Sequence, residues 1–134
     1  VGYGSSELEN YLEQAANKQG RHIIPEPTPE RGYYYRSDHF NFAKMGVPAL
    51  YAESGEDSVE NGREWGAKQA QDYTDNRYHA PSDEYNSEWD LSGAAQDIFL
   101  YFDVADKLSQ EIRFPNWFEG NEFKAIRDAS RLGF

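Results

Sequence analysis

The longest run of apolar positions at helical spacing lies between Asp90 and Ile112. In "DLSGAAQDIFLYFDVADKLSQEI", Ala94, Ile98, Tyr101, Phe102, Ala105 and Leu108 recur with the period of one helix face. That predicts a helix over 90–112, with Asp90 or Ser92 near its start. A second helix is predicted over 6–19. Ser6 and Glu9 form a capping-box pattern, Leu8, Leu12, Ala15 and Ala16 share one face, and Gly20 stops the element. Asp38 is placed to cap a short helix, "HFNFAKM", ended by Gly46, with Phe40 and Phe42 expected in the core. "NEFKAIRDASRL" reads as a last short helix, after the aromatic turn "RFPNWFEG".

Two stretches have strand character. "RHII", 21–24, is a short one. "VPALYA", 47–52, is a continuous apolar run of strand length, as in a strand buried on both faces. Between them "PEPTPERG" carries three prolines and reads as a loop. Helix followed by buried strand predicts an α/β fold, a partial mixed, mostly parallel sheet flanked by helices. Two or three short strands leave unpaired sheet edges. The expectation is therefore a homo-oligomer through an exposed sheet edge, or a chain that is the downstream part of a longer domain. "VGYGSSE" at the start reads like the end of a strand running into a helix. Residues 53–90 are polar and rich in Gly, Asp, Asn and Ser, and they read as a long loop with a short helix near "REWGAKQAQDY".

Composition narrows the function classes. With 134 residues, 38% apolar and 16% aromatic, the chain can bury a core and is the size of one domain. Its formal charge of −11 has the wrong sign for nucleic acid or for an anionic membrane surface. No apolar run approaches the length of a membrane span. The absence of cysteine excludes disulfides, thiolate metal sites and cysteine nucleophiles.

The chemistry left open rests on three histidines and the acids. His22 leads into Ile23 and Ile24 and reads as structural. His39 follows Asp38 at a helix start, where capping by Ser37 or Asp38 competes with a functional role. His79, in "RYHAPSDEYN", is either a metal ligand or a histidine in a surface turn. No H-E-x-x-H, cysteine pair or G-x-S-x-G elbow is present. Asp72, Asp75, Asp83 and Glu84 offer oxygens for calcium, but their spacing fits no EF-hand and favours solvated acids.

Taken together, "YYYRSDHFNFAKMGVPALY", "RYHAPSDEYN" and "FPNWFEGNEF" resemble the C-terminal half of the zinc-dependent aminopeptidases of metallopeptidase family 28. These are co-catalytic dizinc exopeptidases. The combination of S-D-H-x-x-F-x-x-x-G-[VI]-P-A with a downstream Y-H-x-x-x-D carries the resemblance, which spans nearly the whole chain. It implies that residues 1–134 are the C-terminal portion of one peptidase catalytic domain whose upstream half lies elsewhere. It implies that His79 is a zinc ligand and that Tyr34, three before the serine of the S-D-H motif, is the phenol that steadies the oxyanion. Tyr33 and Tyr35 flank it, and any of the three could simply pack. Asp38 and His39 would line the pocket, and Asp83 would orient the imidazole or cap its turn. The parent would cleave N-terminal residues from peptide substrates through a water activated by two zinc ions, with a glutamate as general base. The upstream ligands are an H-x-D, a Glu-Glu pair and a further aspartate, and neither H-x-D nor Glu-Glu occurs here. The fragment alone is thus expected to be inactive. The alternative is a non-enzymatic acidic module that binds calcium or a partner protein and has lost the catalytic metal. By the same resemblance the location would be periplasmic or secreted.

Overall fold

The structure, a computed structural model, describes residues 1–132, and these fall into two compact units. Among these, one unit comprises residues 1–52 and 97–132 and the other residues 53–96. The helices are α1 (Leu8–Lys18), α2 (His39–Ala43), α3 (Gly62–Asn76), α4 (Ser92–Ser109) and α5 (Lys124–Ser130). One 3₁₀ turn, Pro29–Arg31, lies in the proline-rich stretch that reads as a loop, and a second, Tyr33–Arg36, follows it. The division between the units falls within α4.

The expected parallel sheet is not there. Among the described residues the pairing of extended backbone is limited to two isolated antiparallel bridges, Ser6 with Trp117 and Ser58 with Gly62. A strand needs a second backbone about 4.8 Å away to complete its ladder, and the apolar run 47–52 finds none. Side chains and a chain end take its polar groups instead. The Tyr101 hydroxyl donates to the Ala52 carbonyl at 2.6 Å and accepts from the Ala52 N–H at 3.0 Å. The Val1 ammonium donates to the Tyr51 carbonyl at 2.9 Å. "RHII" likewise forms no strand; Ile23 packs on the core while Ile24 points outward. Apolar patterning reports burial, and here burial is met by helices rather than by a ladder. With no sheet among the described residues, the proposed sheet-edge contact between copies loses its basis.

The first unit has two apolar clusters. In one, Leu12, Ala15 and Ala16 of α1 meet Leu100 and Val104 of α4, and Tyr11, Ile23, Leu50, Ala52 and Leu108 pack around them. Each buried leucine contributes roughly 1.5–3 kcal/mol. Arg21 pairs with Asp97 at 2.7 Å and Lys18 with Asp103 at 3.0 Å, bordering the apolar stripe. The buried face of α4 is therefore the one through Leu100 and Val104, not the predicted face through Ile98 and Phe102. The helix is apolar nearly all round, and packing against α1 selects the face bordered by these ion pairs.

In the second cluster Tyr34, Ala43, Trp117 and Phe123 are buried, with Val1 and Phe40 against them. Phe42 stays outside. The Trp117 indole N–H donates to the Gly46 carbonyl at 3.0 Å. Gly46, at φ 81°, ends α2 as expected, and a Cβ there would lie 2.7 Å from the Arg127 nitrogen of α5. Ser6 does not cap α1 through its hydroxyl. Instead Glu9 reaches back, accepting from the N–H of Ser5 at 2.6 Å and of Gly4 at 2.9 Å.

In the second unit no hydrophobic residue is buried. Its order comes from α3 and from turns. The segment before α3 folds over the helix so closely that a Cβ on Gly66 would fall 1.8 Å from the Glu56 carbonyl oxygen.

Candidate functional site

Tyr34 is 8% exposed and belongs to the 3₁₀ turn after Gly32. Its ring meets Tyr35 edge-on at 5.4 Å and the His39 imidazole at 4.7 Å. The hydroxyl is buried without a hydrogen-bond partner. Burial, then the charges of Tyr35, Glu122 and Glu9, push its pKa up to about 12. At neutral pH it is a neutral phenol, able to donate a hydrogen bond but unsuited to act as base or nucleophile.

His39, the first residue of α2, also meets the Tyr51 ring at 5.3 Å. Burial and then the ammonium of the chain start hold its pKa below the ordinary 6.5, against a hydrogen bond to the Tyr34 main chain that pushes upward. Its Nε2 is buried with no partner. Asp38 sits at the N-cap of α2 but makes no side-chain cap bond, and it faces outward. The structure thus brings Tyr34 and His39 together and leaves Asp38 at the surface.

His79 lies in the second unit, just past α3. A turn closed by Ala80 N–H to the Arg77 carbonyl at 2.8 Å holds it, and a second turn, closed by Asp83 N–H to the Ala80 carbonyl at 3.0 Å, follows at once. Pro81 is the second residue of the latter, where its fixed φ suits a turn. Among the described residues His79 is the non-glycine residue with positive φ, at 58°. For a residue with a Cβ that conformation costs about 1–2 kcal/mol. The imidazole is exposed and stacks on the Tyr78 ring at 4.0 Å and 19°. Asp83 accepts from the Tyr73 hydroxyl at 2.9 Å, which raises the Tyr73 pKa; no hydrogen bond joins Asp83 to His79.

The other acids of this loop are engaged by neighbours. Asp72 takes Arg77 and Asn76, both at 3.0 Å, and Asp75 takes Gln71 at 2.7 Å. Among the described residues no three His, Asp or Glu side chains converge as a metal site. A catalytic zinc requires about three protein ligands and an open position. The described residues therefore do not by themselves fit a zinc ion, and they form no calcium cage either. No helix among them is long and apolar enough to cross a membrane.

Sequence reasoning missed Glu26 and Glu122, which flank Tyr34. Glu26 accepts from the Gly2 N–H at 2.9 Å and Glu122 from the Tyr35 hydroxyl at 3.2 Å. Their partners lie 24 and 87 positions away, beyond the reach of any local spacing.

Residues 1–103 match the family model described as Peptidase family M28. The chain belongs to that family. Comparison with curated proteins and with solved structures found no match. Both Tyr34 and His79 fall inside the matched M28 segment, whereas Trp117, Glu122 and α5 lie beyond it.

Proposed function

We propose that this M28 segment supplies part of the active site of a zinc-dependent aminopeptidase, with His79 as a zinc ligand and Tyr34 as the phenol that donates to the oxyanion. The observation that carries this reading is the His79 turn. An exposed imidazole without a hydrogen-bond partner, held in a costly left-handed conformation by a turn, is placed at the expense of stability. Such strain clusters where a side chain must be presented. Tyr34 adds a buried neutral donor, and the His39 ring packs edge-on against it at 4.7 Å, while Asp38 at the surface would have to act from the mouth of the site.

The remaining ligands would come from outside the described residues, so the chain alone would be inactive. The α4 face through Ile98, Phe99 and Phe102, each about two-thirds exposed, supports an apolar partner surface for the rest of the domain. The alternative of a calcium-binding module is disfavoured by the acids of the long loop, which are satisfied by their own neighbours. A periplasmic or secreted location follows from the same reading, and fractionation of the producing cells checks it.

Zinc titration of the peptidase that contains this segment tests the assignment. Two equivalents and release of nitroaniline from aminoacyl-nitroanilides are expected, with one equivalent and the activity lost in His79→Ala. Unchanged zinc content and turnover in that variant would overturn the ligand role. Chelator-sensitive turnover by residues 1–134 alone would overturn the incomplete site.

A further inference from the structure

We propose that the cavity beside Tyr34 binds an organic cation of side-chain size, an alkylammonium or an alkylguanidinium. The cavity lies wholly in the first unit and has a volume of about 230 Å³. That is below the roughly 300–1,000 Å³ of pockets for drug-sized ligands. Its wall carries the carboxylates of Glu26 and Glu122, and no lysine, arginine or histidine lines it.

Two polar atoms at this cavity lack partners. The Glu26 carboxylate spends Oε1 on the Gly2 N–H, but its Oε2 is buried and accepts nothing. The Tyr34 hydroxyl, on a side chain more than nine-tenths buried, is equally unpartnered. A buried carboxylate oxygen with no donor is unfavourable until a charge or donor meets it. A protonated nitrogen supplies both.

The rest of the wall selects the kind of cation. Buried Tyr34 and Phe123 line the inner part, while Tyr35, 55% exposed, and the exposed Glu122 line the outer part. Aromatic faces attract ammonium and guanidinium groups and tolerate an apolar stem. A bare divalent ion would want six or more oxygens or three strong ligands, and two carboxylates with neutral phenols do not provide them. The inference needs neither zinc nor peptide hydrolysis, so it stands or falls apart from the aminopeptidase reading.

The test is binding of n-butylammonium and n-butylguanidinium to the full chain, followed by NMR at the Gly2 amide and the tyrosine rings. Saturable shifts at these positions are expected with at least one of the two cations. Glu26→Gln should weaken binding at least about tenfold, and Glu122→Gln should weaken it less. Glu88→Gln, in the other unit, should leave it unchanged. If Glu26→Gln does not fold, Glu122→Gln carries the test alone. Absence of saturable shifts with both cations overturns the proposal. So does equal binding of n-butanol, which would reveal an apolar hole only, or full competition by calcium at equal concentration, which would reveal a metal site.

Discussion

The two units are stabilised by different means. Residues 1–52 and 97–132 bury two apolar clusters, and Trp117, in the one with Tyr34, is 1% exposed. Residues 53–96 bury no hydrophobic side chain, although they contain Trp65, Tyr73, Tyr78, Tyr85 and Trp89. There the aromatics pair edge-on at the surface, as Tyr85 does with Trp89 at 5.8 Å. The lesson is that aromatic content does not make a core; convergence of apolar faces does. The strained His79 sits in the unit without a core, and the buried neutral Tyr34 sits in the unit with two. This division is common in enzymes, where rigid cores position one group and low-stability loops present another.

The sharpest way to break this comparison is to truncate one tryptophan in each unit. Trp117→Ala removes a buried indole and its bond to the Gly46 carbonyl, and a loss of roughly 3–5 kcal/mol is expected in urea denaturation. Trp89→Ala removes an exposed edge contact and should cost about 0.5–1.5 kcal/mol. Equal losses would mean that the second unit hides a core of its own.

A smaller and more local effect is expected from Gly66→Ala. Its Cβ would collide with the Glu56 carbonyl, so the segment before α3 must move away. Hydrogen exchange should rise over residues 53–62 and stay unchanged in α1 and in residues 97–109 of α4. Faster exchange in those helices would show that the two units unfold as one.

The smallest effect concerns pH. The His39 pKa is depressed in the folded chain, so the unfolded chain takes up that proton first as pH falls. Stability contributed by neutral His39 is present above its ordinary 6.5 and declines as pH drops through the folded value. A lower urea midpoint at pH 5 than at pH 7 is expected, and His39→Gln should reduce the difference. The lowered Asp90 and Asp128 values act below 3.8 and leave this window clear. A midpoint that rises on acidification would show that His39 is stabilised by its charge instead.

Much of the helical content was legible. α1, α2, α4 and α5 lie inside the stretches marked by capping residues, apolar spacing and terminal glycines. α3 lies where "REWGAKQAQDY" pointed, four residues longer than that stretch. The candidate site residues are named only through motif order. The S-D-H and Y-H-x-x-x-D stretches name Tyr34 and His79, but no pattern reveals that Asp83 serves Tyr73, or that Glu26 reaches Gly2. Which face of α4 is buried was also hidden, because Ile98, Phe99, Leu100, Phe102 and Val104 make nearly every face apolar. Packing against α1 made that choice, and the ion pairs that border it connect residues 76 and more positions apart.

The amino-acid order alone determined where helices start and stop, the acidic character of the chain and its place in the M28 family. These depend on groups within a few residues of one another, or on motifs read in line. Only the tertiary structure decided that the apolar run 47–52 pairs with no strand, and that Tyr34 lies buried beside unpaired oxygens. It alone decided that the long loop holds its own acids. Each of these depends on what lies alongside in space, and a backbone ladder, a desolvated hydroxyl or a satisfied carboxylate exists only once a distant segment has arrived or failed to arrive.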